Sequence, residues 1–309
     1  MSELRIVSLI PSATEIVAQL GFGESLVGRS HSCDYPKEVQ SLPVCTAPRF
    51  DPNGQSREIH DRVTDLLHRG LSVYEIDVDQ LQKLRPTHIL TQAQCEVCAA
   101  SLADVQKAVD QVFESPPEII SLQPQVLAHL WDDLRRVAVA LDAVNGDAIA
   151  ELTIAQLQER LQTCLQKVPN TLPQPTVACL EWTDPLMGAG NWVPELVSMA
   201  GGHPLFGHAG RHSPWLPWEN LSAAEPDILV VMPCGYDLQQ SRQAIDQLAQ
   251  TPTWKTLKAV KEGRVFLVDG NQFFNRPGPR LVDSLEILAE ILHPDRCEFG
   301  YAMKAWKIY

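Results

Sequence analysis

Cysteine and histidine side chains are the first candidates for chemistry in this chain. Cys95-Glu-Val-Cys98 has the spacing of a zinc-ligand pair or a redox pair. A structural zinc site needs four ligands and the chain has no second C-x-x-C, so Cys33 and His31 are the residues that would complete one. We therefore predict that Cys95, Cys98 and Cys33 bind a soft metal or touch the metal centre of a bound ligand. The alternative is a reduced cysteine pair that holds no metal.

Aromatic and polar side chains in four loops form a second candidate set. The loops cover residues 31–36, 92–98, 232–236 and 269–276, and each follows a predicted strand. Open α/β sheets bind ligands at the carboxyl ends of their strands, and aromatic walls with a few polar groups suit a large flat ligand. The alternative is that these aromatic side chains only pack between lobes. The predicted ligand-binding residues are His31, Cys33, Tyr35, Gln92, Cys95, Trp192, Trp215, Trp218, Tyr236, Phe273, Phe274 and Arg276, with Cys98 and Cys234 in the same loops.

No sequence signature of catalysis accompanies these residues. The chain has no G-x-S-x-G, no Walker loop and no G-x-G-x-x-G. His203, His208 and His212 lack the spacing of ligands on one helix face, and we interpret them as part of a solvated loop. The net charge of -13 argues against nucleic acid or an anionic membrane as the main partner. We therefore predict a protein without enzymatic activity.

A helix-Pro-strand sequence pattern occurs twice in the chain, and two of the four loops follow its strands. Residues 79–90 and 219–230 each contain an acid, a Leu two positions later, a Pro seven positions later and then an apolar run. The acid suits the positive end of a helix dipole, the Pro stops the helix, and the apolar run indicates a buried parallel strand. Two such matches predict two lobes that are built alike.

The order of predicted strands and helices indicates an α/β protein with two Rossmann-like lobes joined by a single long helix. A length of 309 residues is enough for two hydrophobic cores. Residues 124–168 have a helical pattern without strands, and the spine helix begins near Ala148 and measures roughly 30 Å. The apolar stripe of this region consists of Leu127, Leu130, Leu134, Val137 and Leu141. The predicted domains are the N-terminal lobe 1–123, the helical linker with the spine helix 124–169, and the C-terminal lobe 170–309; we make no prediction for the tail 297–309.

Two helix starts have the pattern of a side-chain cap. Ser12 and Glu15 have the spacing of a capping box, in which the hydroxyl accepts a hydrogen bond from the helix backbone. Ser101 precedes a second helical pattern with Asp104 at the same spacing. We therefore predict that Ser12 and Ser101 cap their helices.

The N-terminal residues do not have the pattern of a secretory leader. They contain one Arg and a five-residue apolar stretch that ends at Pro11, whereas a leader needs a longer apolar core. No apolar run reaches the length of a membrane span. The eight cysteines are then more typical of free thiols or metal ligands than of a disulfide framework. We expect a cytoplasmic protein as the chain stands, or a periplasmic one if a leader has been removed.

The motifs, taken in order, resemble the cobalamin-type (class III) periplasmic binding proteins, the substrate-binding components of ABC importers for cobalamin, haem and iron-siderophores. The resemblance rests on the repeated Pro-strand element and extends over nearly the whole chain. It also rests on four motifs: PSATEIV from Pro11, SHSCDYP from Ser30, MGAGNWVPELVSMAGG from Met187 and RPGPR from Arg276.

The resemblance implies a ligand between two lobes on a rigid helical link, and one acid per lobe that docks onto Arg residues of a permease. Those acids correspond to Asp79 and Glu219, which are also ordinary helix-start residues. We expect cobalamin or a related corrinoid as the ligand, no covalent cofactor, and a monomer with a permease as partner. Ser32 and Gln92 replace the Tyr and Trp of cobalamin binders.

Two alternatives remain open at this point. The first is a haem or ferric-siderophore binding protein. The second is a cytoplasmic metal- or redox-active protein on the same scaffold, which would use Cys33, Cys95 and Cys98, the three cysteines that are extra to the pattern of the cobalamin binders.

Overall fold

The computed structural model describes residues 3–93, 100–169 and 172–309. The described residues form two compact units, and both have the predicted α/β character. Unit 1 takes in the described residues of 1–54, 58–124 and 128–156. Unit 2 takes in those of 55–57, 125–127 and 157–309.

The main sheet of unit 1 is parallel throughout. Its strands are β1 (Ile6–Ser8), β2 (Leu26–Arg29), β5 (His88–Gln92) and β6 (Glu118–Leu122), in the order β2-β1-β5-β6. A separate antiparallel pair consists of β3 (Thr46–Pro48) and β4 (Tyr74–Ile76). Val7 on β1 lies opposite Gly28 and Ile89, so β1 has a neighbour on each side. This central position explains why β1 is buried along its whole length.

Helices connect these strands and continue to the start of unit 2. They are α1 (Pro11–Gln19), α2 (Ser56–His68), α3 (Val78–Leu84), α4 (Leu102–Val112), α5 (Leu127–Leu141) and α6 (Gly146–Lys167). The predicted apolar stripe on α5 is confirmed, because its five residues are all buried. A side chain at Gly146 would collide with the backbone of Ala138, so glycine permits the close turn from α5 to α6. The boundary between the units falls inside α6, after Gln156.

The two predicted helix caps have different outcomes. Ser101 accepts a hydrogen bond from the Asp104 backbone at 3.1 Å, which confirms it as the cap of α4. The Ser12 cap is wrong, because α1 already begins at Pro11 and Ile10 is its N-cap without a side-chain hydrogen bond. Proline suits the first helical position, since its fixed φ is helical and no hydrogen bond is lost there.

Unit 2 is built on a mixed sheet. Its strands are β7 (Thr176–Thr183), β8 (Leu186–Gly188), β9 (His203–Leu205), β10 (Ile228–Val231), β11 (Val265–Val268) and β12 (Trp306–Ile308). The order is β12-β11-β10-β7-β8, with β9 pairing beside β7. The strands β9, β7, β10 and β11 are parallel, whereas β8 and β12 run antiparallel to their neighbours. His203 is exposed, as predicted, but it lies in a strand and not in a loop, because it pairs with Thr176 at the start of β9.

The described helices that follow α6 belong to unit 2. They are α7 (Val193–Met199), α8 (Trp218–Ala224), α9 (Leu238–Leu248), α10 (Lys258–Lys261) and α11 (Leu281–Leu292). Short 3-10 helices lie at Gly23–Ser25 and Lys37–Ser41 in unit 1 and at Trp254–Thr256 in unit 2. Nearly every residue of α11 is buried, so this helix belongs to the interior of unit 2. Within the described part of the chain, no helix has the length and hydrophobicity that a membrane crossing requires.

The tail, for which the sequence made no prediction, is tied to α11 through one carboxylate. Glu290 is only 3% exposed. It accepts hydrogen bonds from the backbone of Gly300 at 2.6 Å and Tyr301 at 3.3 Å, and from the indole of Trp306 at 2.8 Å. These bonds bring β12 alongside β11 as an edge strand. A buried carboxylate with several donors is well satisfied, and it therefore stabilises the tail.

Candidate ligand-binding site

Cys33 lies inside unit 1 and not on a ligand-facing surface. Its side chain has no exposed area. Its sulfur accepts a hydrogen bond from the Thr14 hydroxyl at 3.0 Å, and lies 3.1 Å from the Ser30 hydroxyl and 3.8 Å from the Ser8 carbonyl oxygen. The prediction that Cys33 offers a thiolate to a metal or ligand is therefore wrong. Its thiol instead fixes the loop that follows β2 to the start of α1.

The same loop is held by Arg29 at the end of β2. One guanidinium nitrogen of Arg29 donates to the carbonyl oxygens of Ser30 at 3.1 Å and Cys33 at 3.0 Å. The other donates to the carbonyl oxygen of Gln40 at 3.1 Å. Because both arms of the guanidinium bind backbone, the loop at residues 30–36 has a defined conformation at the carboxyl edge of the unit 1 sheet.

His31 projects from this loop and is exposed. Its Nδ1 lies 2.8 Å from the Thr46 hydroxyl, and its ring centroid is 5.2 Å from that of Tyr74. Partial burial of the ring lowers the pKa of His31; a hydrogen bond to the Thr46 backbone opposes this effect, and the charge of Arg29 adds to it. The neutral imidazole is therefore favoured near pH 7. Tyr35, further along the loop, is also exposed.

The cysteine pair Cys95 and Cys98 lies outside the described residues, and the metal prediction for it remains a prediction. Gln92, just before that pair, is buried at the end of β5, where it pairs with Leu122. Within residues 3–93, 100–169 and 172–309, no three His, Cys, Asp or Glu side chains converge as a metal site. Burial raises the pKa of Cys45 and of Cys179 to about 12, so these thiols stay protonated.

In unit 2, a cluster of hydroxyl and aromatic groups lies at the carboxyl edge of the sheet. The Ser56 hydroxyl is 2.7 Å from that of Thr183 and 3.3 Å from that of Tyr236. The rings of Trp182 and Tyr236 lie 5.3 Å apart and tilted. We call Ser56, Trp182, Thr183 and Tyr236 the edge cluster. An ion pair between Arg57 and Asp184 lies next to it along the chain.

Only Tyr236 of the edge cluster was predicted from the sequence. Trp182 and Thr183 lie at the end of β7, outside the four loops that the sequence identifies. Ser56 begins α2, which is also outside those loops. Its partner Thr183 is 127 positions away, and no local pattern signals a contact over that distance.

Trp192 and Phe274 form part of the interior of unit 2. The Trp192 indole donates to the carbonyl oxygen of Phe274 at 2.6 Å, and the Phe274 backbone N–H donates to the Ser284 hydroxyl at 3.1 Å. Trp192 is 6% exposed and Phe274 is completely buried. The prediction that these two rings form a ligand wall is therefore wrong. Their contacts fix the loop at residues 269–276 against α11.

The remaining predicted residues of unit 2 divide between surface and core. Trp215 is 54% exposed, on a segment whose backbone bridges to Met187 in β8. Trp218 begins α8, is half-buried and packs against the hydrophobic core, and its role as a ligand wall stays a prediction. Phe273 is half-buried, while Arg276 is buried and donates to the Asn271 side chain at 2.9 Å. Trp215 and Phe273 thus add aromatic surface to that of the edge cluster. Cys234 is exposed in the loop after β10.

The two predicted docking acids occupy equivalent positions. Asp79 is in the first turn of α3, and Glu219 is in the first turn of α8. Both are exposed, and neither has a salt-bridge partner among the residues that the structure describes. Each carboxylate is therefore close to the positive end of a helix dipole.

Comparison with known proteins identifies the family. The chain matches the family model "Periplasmic binding protein" over residues 6–271. It is 23% identical over 293 residues to the ABC transporter substrate-binding lipoprotein YvrC of Bacillus subtilis, whose function is uncharacterized, covering 94% of this chain and 80% of that protein. It is 22% identical to a vitamin B12-binding protein of Photorhabdus laumondii, covering 94% of this chain and 88% of the relative.

A solved structure confirms the fold. The apo form of the periplasmic haem-binding protein RhuT from Roseiflexus superposes with a TM-score of 0.69 at 24% identity, covering 96% of this chain and all of that one. The predicted resemblance and fold class are thereby confirmed. The chain belongs to the periplasmic binding protein family, whose members bind substrates for transporters and are not enzymes.

Proposed function

We propose that this protein binds a corrinoid, cobalamin foremost, as the substrate-binding component of an ABC importer or as a close relative of one. The observation that carries the proposal is the half-buried Trp182 at the carboxyl edge of the unit 2 sheet, the edge where α/β sheets bind ligands. Its ring lies 5.3 Å from that of Tyr236, and the buried hydroxyls of Tyr236, Ser56 and Thr183 hold this ring pair in place through their hydrogen bonds to one another. A corrinoid suits such a surface, because a flat macrocycle stacks on aromatic rings.

Two further observations support this ligand. Trp215 and Phe273 add aromatic surface in unit 2, and the exposed Tyr35 and His31 lie at the carboxyl edge of the unit 1 sheet. The vitamin B12-binding protein of Photorhabdus laumondii matches almost the whole chain.

Haem is the second candidate, and Arg276 and Arg280 are the observation that favours it. Both belong to the segment that follows β11, and the Arg280 guanidinium lies 5.3 Å from the ring centroid of Phe273. Guanidinium groups bind carboxylates in a bidentate manner, and haem carries two propionates whereas the corrinoid side chains are mostly amides.

Absorption spectroscopy separates the two candidates. Protein purified from its natural source should carry the visible spectrum of a corrinoid, and the ligand-free protein should take up cyanocobalamin in preference to ferric haem or a ferric siderophore. The macrocycles absorb at different wavelengths, so a mixture of all three can be offered at once. Retention of haem or of the ferric siderophore, with cyanocobalamin left in solution, would contradict the corrinoid assignment.

We also propose that Asp79 and Glu219 dock onto arginines of a permease. Replacing both by Asn removes two exposed charges, and we expect substrate uptake by cells to fall far more than ligand affinity. Asp77→Asn is the matched control, because it removes a charge from the same helix start and Asn still accepts the capping hydrogen bond. If the double variant supports normal uptake, no permease docks at these acids.

A further inference from the structure

Three side chains in register connect β7 of unit 2 with the exposed Trp215. Trp182 pairs with Met187 of β8, and Met187 forms a further antiparallel bridge to Trp215. Directly paired residues of antiparallel strands point to the same face of a sheet, with Cβ atoms about 4.5–5.5 Å apart. The two indoles therefore lie on one face, with Met187 between them. We call Trp182, Met187 and Trp215 the tryptophan row.

The segment at residues 213–216 brings Trp215 into this row through its backbone. The Pro214 carbonyl oxygen accepts the Gly188 N–H at 2.9 Å, and the Leu216 N–H donates to the carbonyl oxygen of the first residue of β8 at 2.9 Å. These two bonds come from the residues on either side of Trp215, so they hold the segment beside β8. The start of the segment needs a separate anchor.

Glu181 supplies that anchor through Ser213. The Ser213 side chain is buried, and its hydroxyl donates to Oε2 of Glu181 at 2.8 Å and accepts the backbone N–H of Gly190 at 3.1 Å. A side chain at Gly190 would collide with the backbone of Arg211 and Ser213, so glycine permits the close approach of the two segments. The Ser213 hydroxyl thus has a donor and an acceptor that are both fixed by neighbouring backbone.

The backbone of β7 directs the Glu181 side chain towards this contact. The register between β7 and β8 shifts between Leu180 and Trp182, and Glu181 lies in that irregularity. Such β-bulges often lie next to functional sites, where they redirect a side chain. The Glu181 carbonyl oxygen also accepts the Cys234 N–H at 3.1 Å. The backbone of Glu181 is therefore held in place while its carboxylate binds Ser213.

We propose that Glu181 is a positioning residue, which holds Trp215 through Ser213 in the orientation that the ligand meets. A side chain that is ordered only on binding costs affinity, and an anchor that is fixed beforehand avoids this loss. Glu181 then contributes to affinity without touching the ligand. This inference rests on the proposed function, because the ligand assigned to the tryptophan row is the corrinoid.

Fluorine NMR of protein labelled with fluorotryptophan tests the positioning without any ligand. The signal that is lost in Trp215→Phe belongs to Trp215. We expect Ser213→Ala and Glu181→Ala to shift and narrow this signal, because the ring becomes more mobile. Glu181→Gln should leave it near the wild-type position, because the amide oxygen still accepts the Ser213 hydrogen bond. Ser198→Ala is the matched control, since that hydroxyl bonds only within its own helix α7.

Calorimetric titration with cyanocobalamin then shows whether the positioning acts on binding. Ser213→Ala should weaken binding by about 3–10-fold, the effect of having to order one side chain on association. In the Trp215→Ala background the same change should have no further effect, because no indole remains to be positioned. A role of Ser213 in general stability would instead weaken binding equally in both backgrounds.

The outcomes separate this inference from the proposed function. If the Trp215 signal is unchanged in Ser213→Ala and Glu181→Ala, the inference is overturned, whether or not cobalamin binds. If the losses from Ser213→Ala and Trp215→Ala simply add, it is overturned as well. If the wild type binds no cyanocobalamin, the proposed function fails and the fluorine signal alone decides the inference. Ser213→Ala removes a single oxygen atom and keeps the test available if Glu181→Ala does not fold.

Discussion

The duplicated element appears once in each unit, and the two copies share a backbone while differing in their polar contacts. The helices α3 and α8 have seven residues each, and both end at a residue in the left-handed region, Arg85 with φ 44° and Glu225 with φ 43°. Leu81 and Leu221 have no exposed surface. The fold therefore requires the buried leucine, the turn and the proline, and these are the features that the sequence repeats.

The copies differ where each helix begins. In unit 1, the Asp77 side chain accepts a hydrogen bond from the Gln80 backbone at 2.8 Å. In unit 2, the N-cap position of α8 is Pro217, which has no side-chain hydrogen bond. The same helix geometry thus forms with and without a cap, because packing of the buried leucine supplies most of its stability.

They differ again where each strand begins. Thr87 accepts the Arg5 backbone N–H at 3.0 Å and donates to the Arg5 carbonyl oxygen at 3.1 Å. At the equivalent place in unit 2, the Asp227 carboxylate accepts the backbone N–H of Thr176 at 2.8 Å and also pairs with Lys258. Each group ties its strand to the neighbouring strand. A neutral hydroxyl and a charged carboxylate therefore make the same kind of hydrogen bond between neighbouring strands at this position.

Truncation of the buried leucines is expected to have the largest effect on stability. Leu81→Ala and Leu221→Ala should each lower the free energy of unfolding by about 2–5 kcal/mol, because each leaves a cavity in a packed core. Chemical denaturation followed by fluorescence and circular dichroism measures the loss. Leu152→Ala is the control, since Leu152 is mostly exposed and should change stability by less than about 0.5 kcal/mol. A loss below about 1 kcal/mol in only one copy would show that the copies are not equivalent.

Removing the Asp77 cap tests the difference between the capped start of α3 and the uncapped start of α8. Asp77→Ala should cost about 1 kcal/mol, because the Gln80 backbone N–H loses its acceptor. Asp77→Asn keeps an acceptor and should cost less. Pro217→Ala should change stability by less than about 0.5 kcal/mol, because no capping bond exists to be lost. Equal losses for Asp77→Ala and Pro217→Ala in the same denaturation assay would remove this distinction.

Acid titration should distinguish the Asp227–Thr176 hydrogen bond of unit 2 from the Thr87–Arg5 hydrogen bond of unit 1. Hydrogen bonds from Lys258 and from the Thr176 backbone lower the pKa of Asp227 to about 2. Its stabilising effect is therefore complete above about pH 4 and is lost as the pH falls towards 2, by about 1 kcal/mol once solvent screening is allowed for. Thr87 does not ionise in this range, so the tie in unit 1 has no such dependence.

Asp227→Thr places in unit 2 the residue type that Thr87 has at the equivalent position of unit 1. The measurement is the free energy of unfolding of this variant and of the wild type as a function of pH. The difference in unfolding free energy between wild type and variant should shrink as the pH falls from 4 to 2. Thr87→Val is the control, because its effect should not depend on pH over this range. If the difference in unfolding free energy between wild type and Asp227→Thr stays constant down to pH 2, the Asp227 carboxylate does not stabilise the fold through its charge.

The local part of the fold was predictable from the sequence because its signals are local. The repeated element, the buried stripe that includes Leu130 and Leu134, and the Ser101 cap depend on periodicity and on neighbours within one helix turn. The three-residue strands β9 and β12 were missed, since they form only by pairing with β7 and β11. No pattern of three residues carries that information.

The position of the candidate site stays a prediction, and the structure gives only the burial of its described side chains. Two tryptophans of the predicted set differ in that burial. Trp192 packs inside because its indole reaches the Phe274 carbonyl oxygen, whereas Trp215 stays on the surface. Cys33 likewise is buried because three hydroxyl-bearing residues from separate segments surround it, and such contacts cannot be inferred from spacing.

The central claim is that the aromatic surface of unit 2 binds a corrinoid, and calorimetric titration with cyanocobalamin tests it most directly. We expect one molecule to bind per chain with a dissociation constant of about 1 μM or lower, which corresponds to about 8 kcal/mol. Trp215→Ala should weaken binding by about 1–3 kcal/mol, as expected for an aromatic anchor. Absence of binding heat at tens of micromolar protein, confirmed by equilibrium dialysis, would contradict the claim.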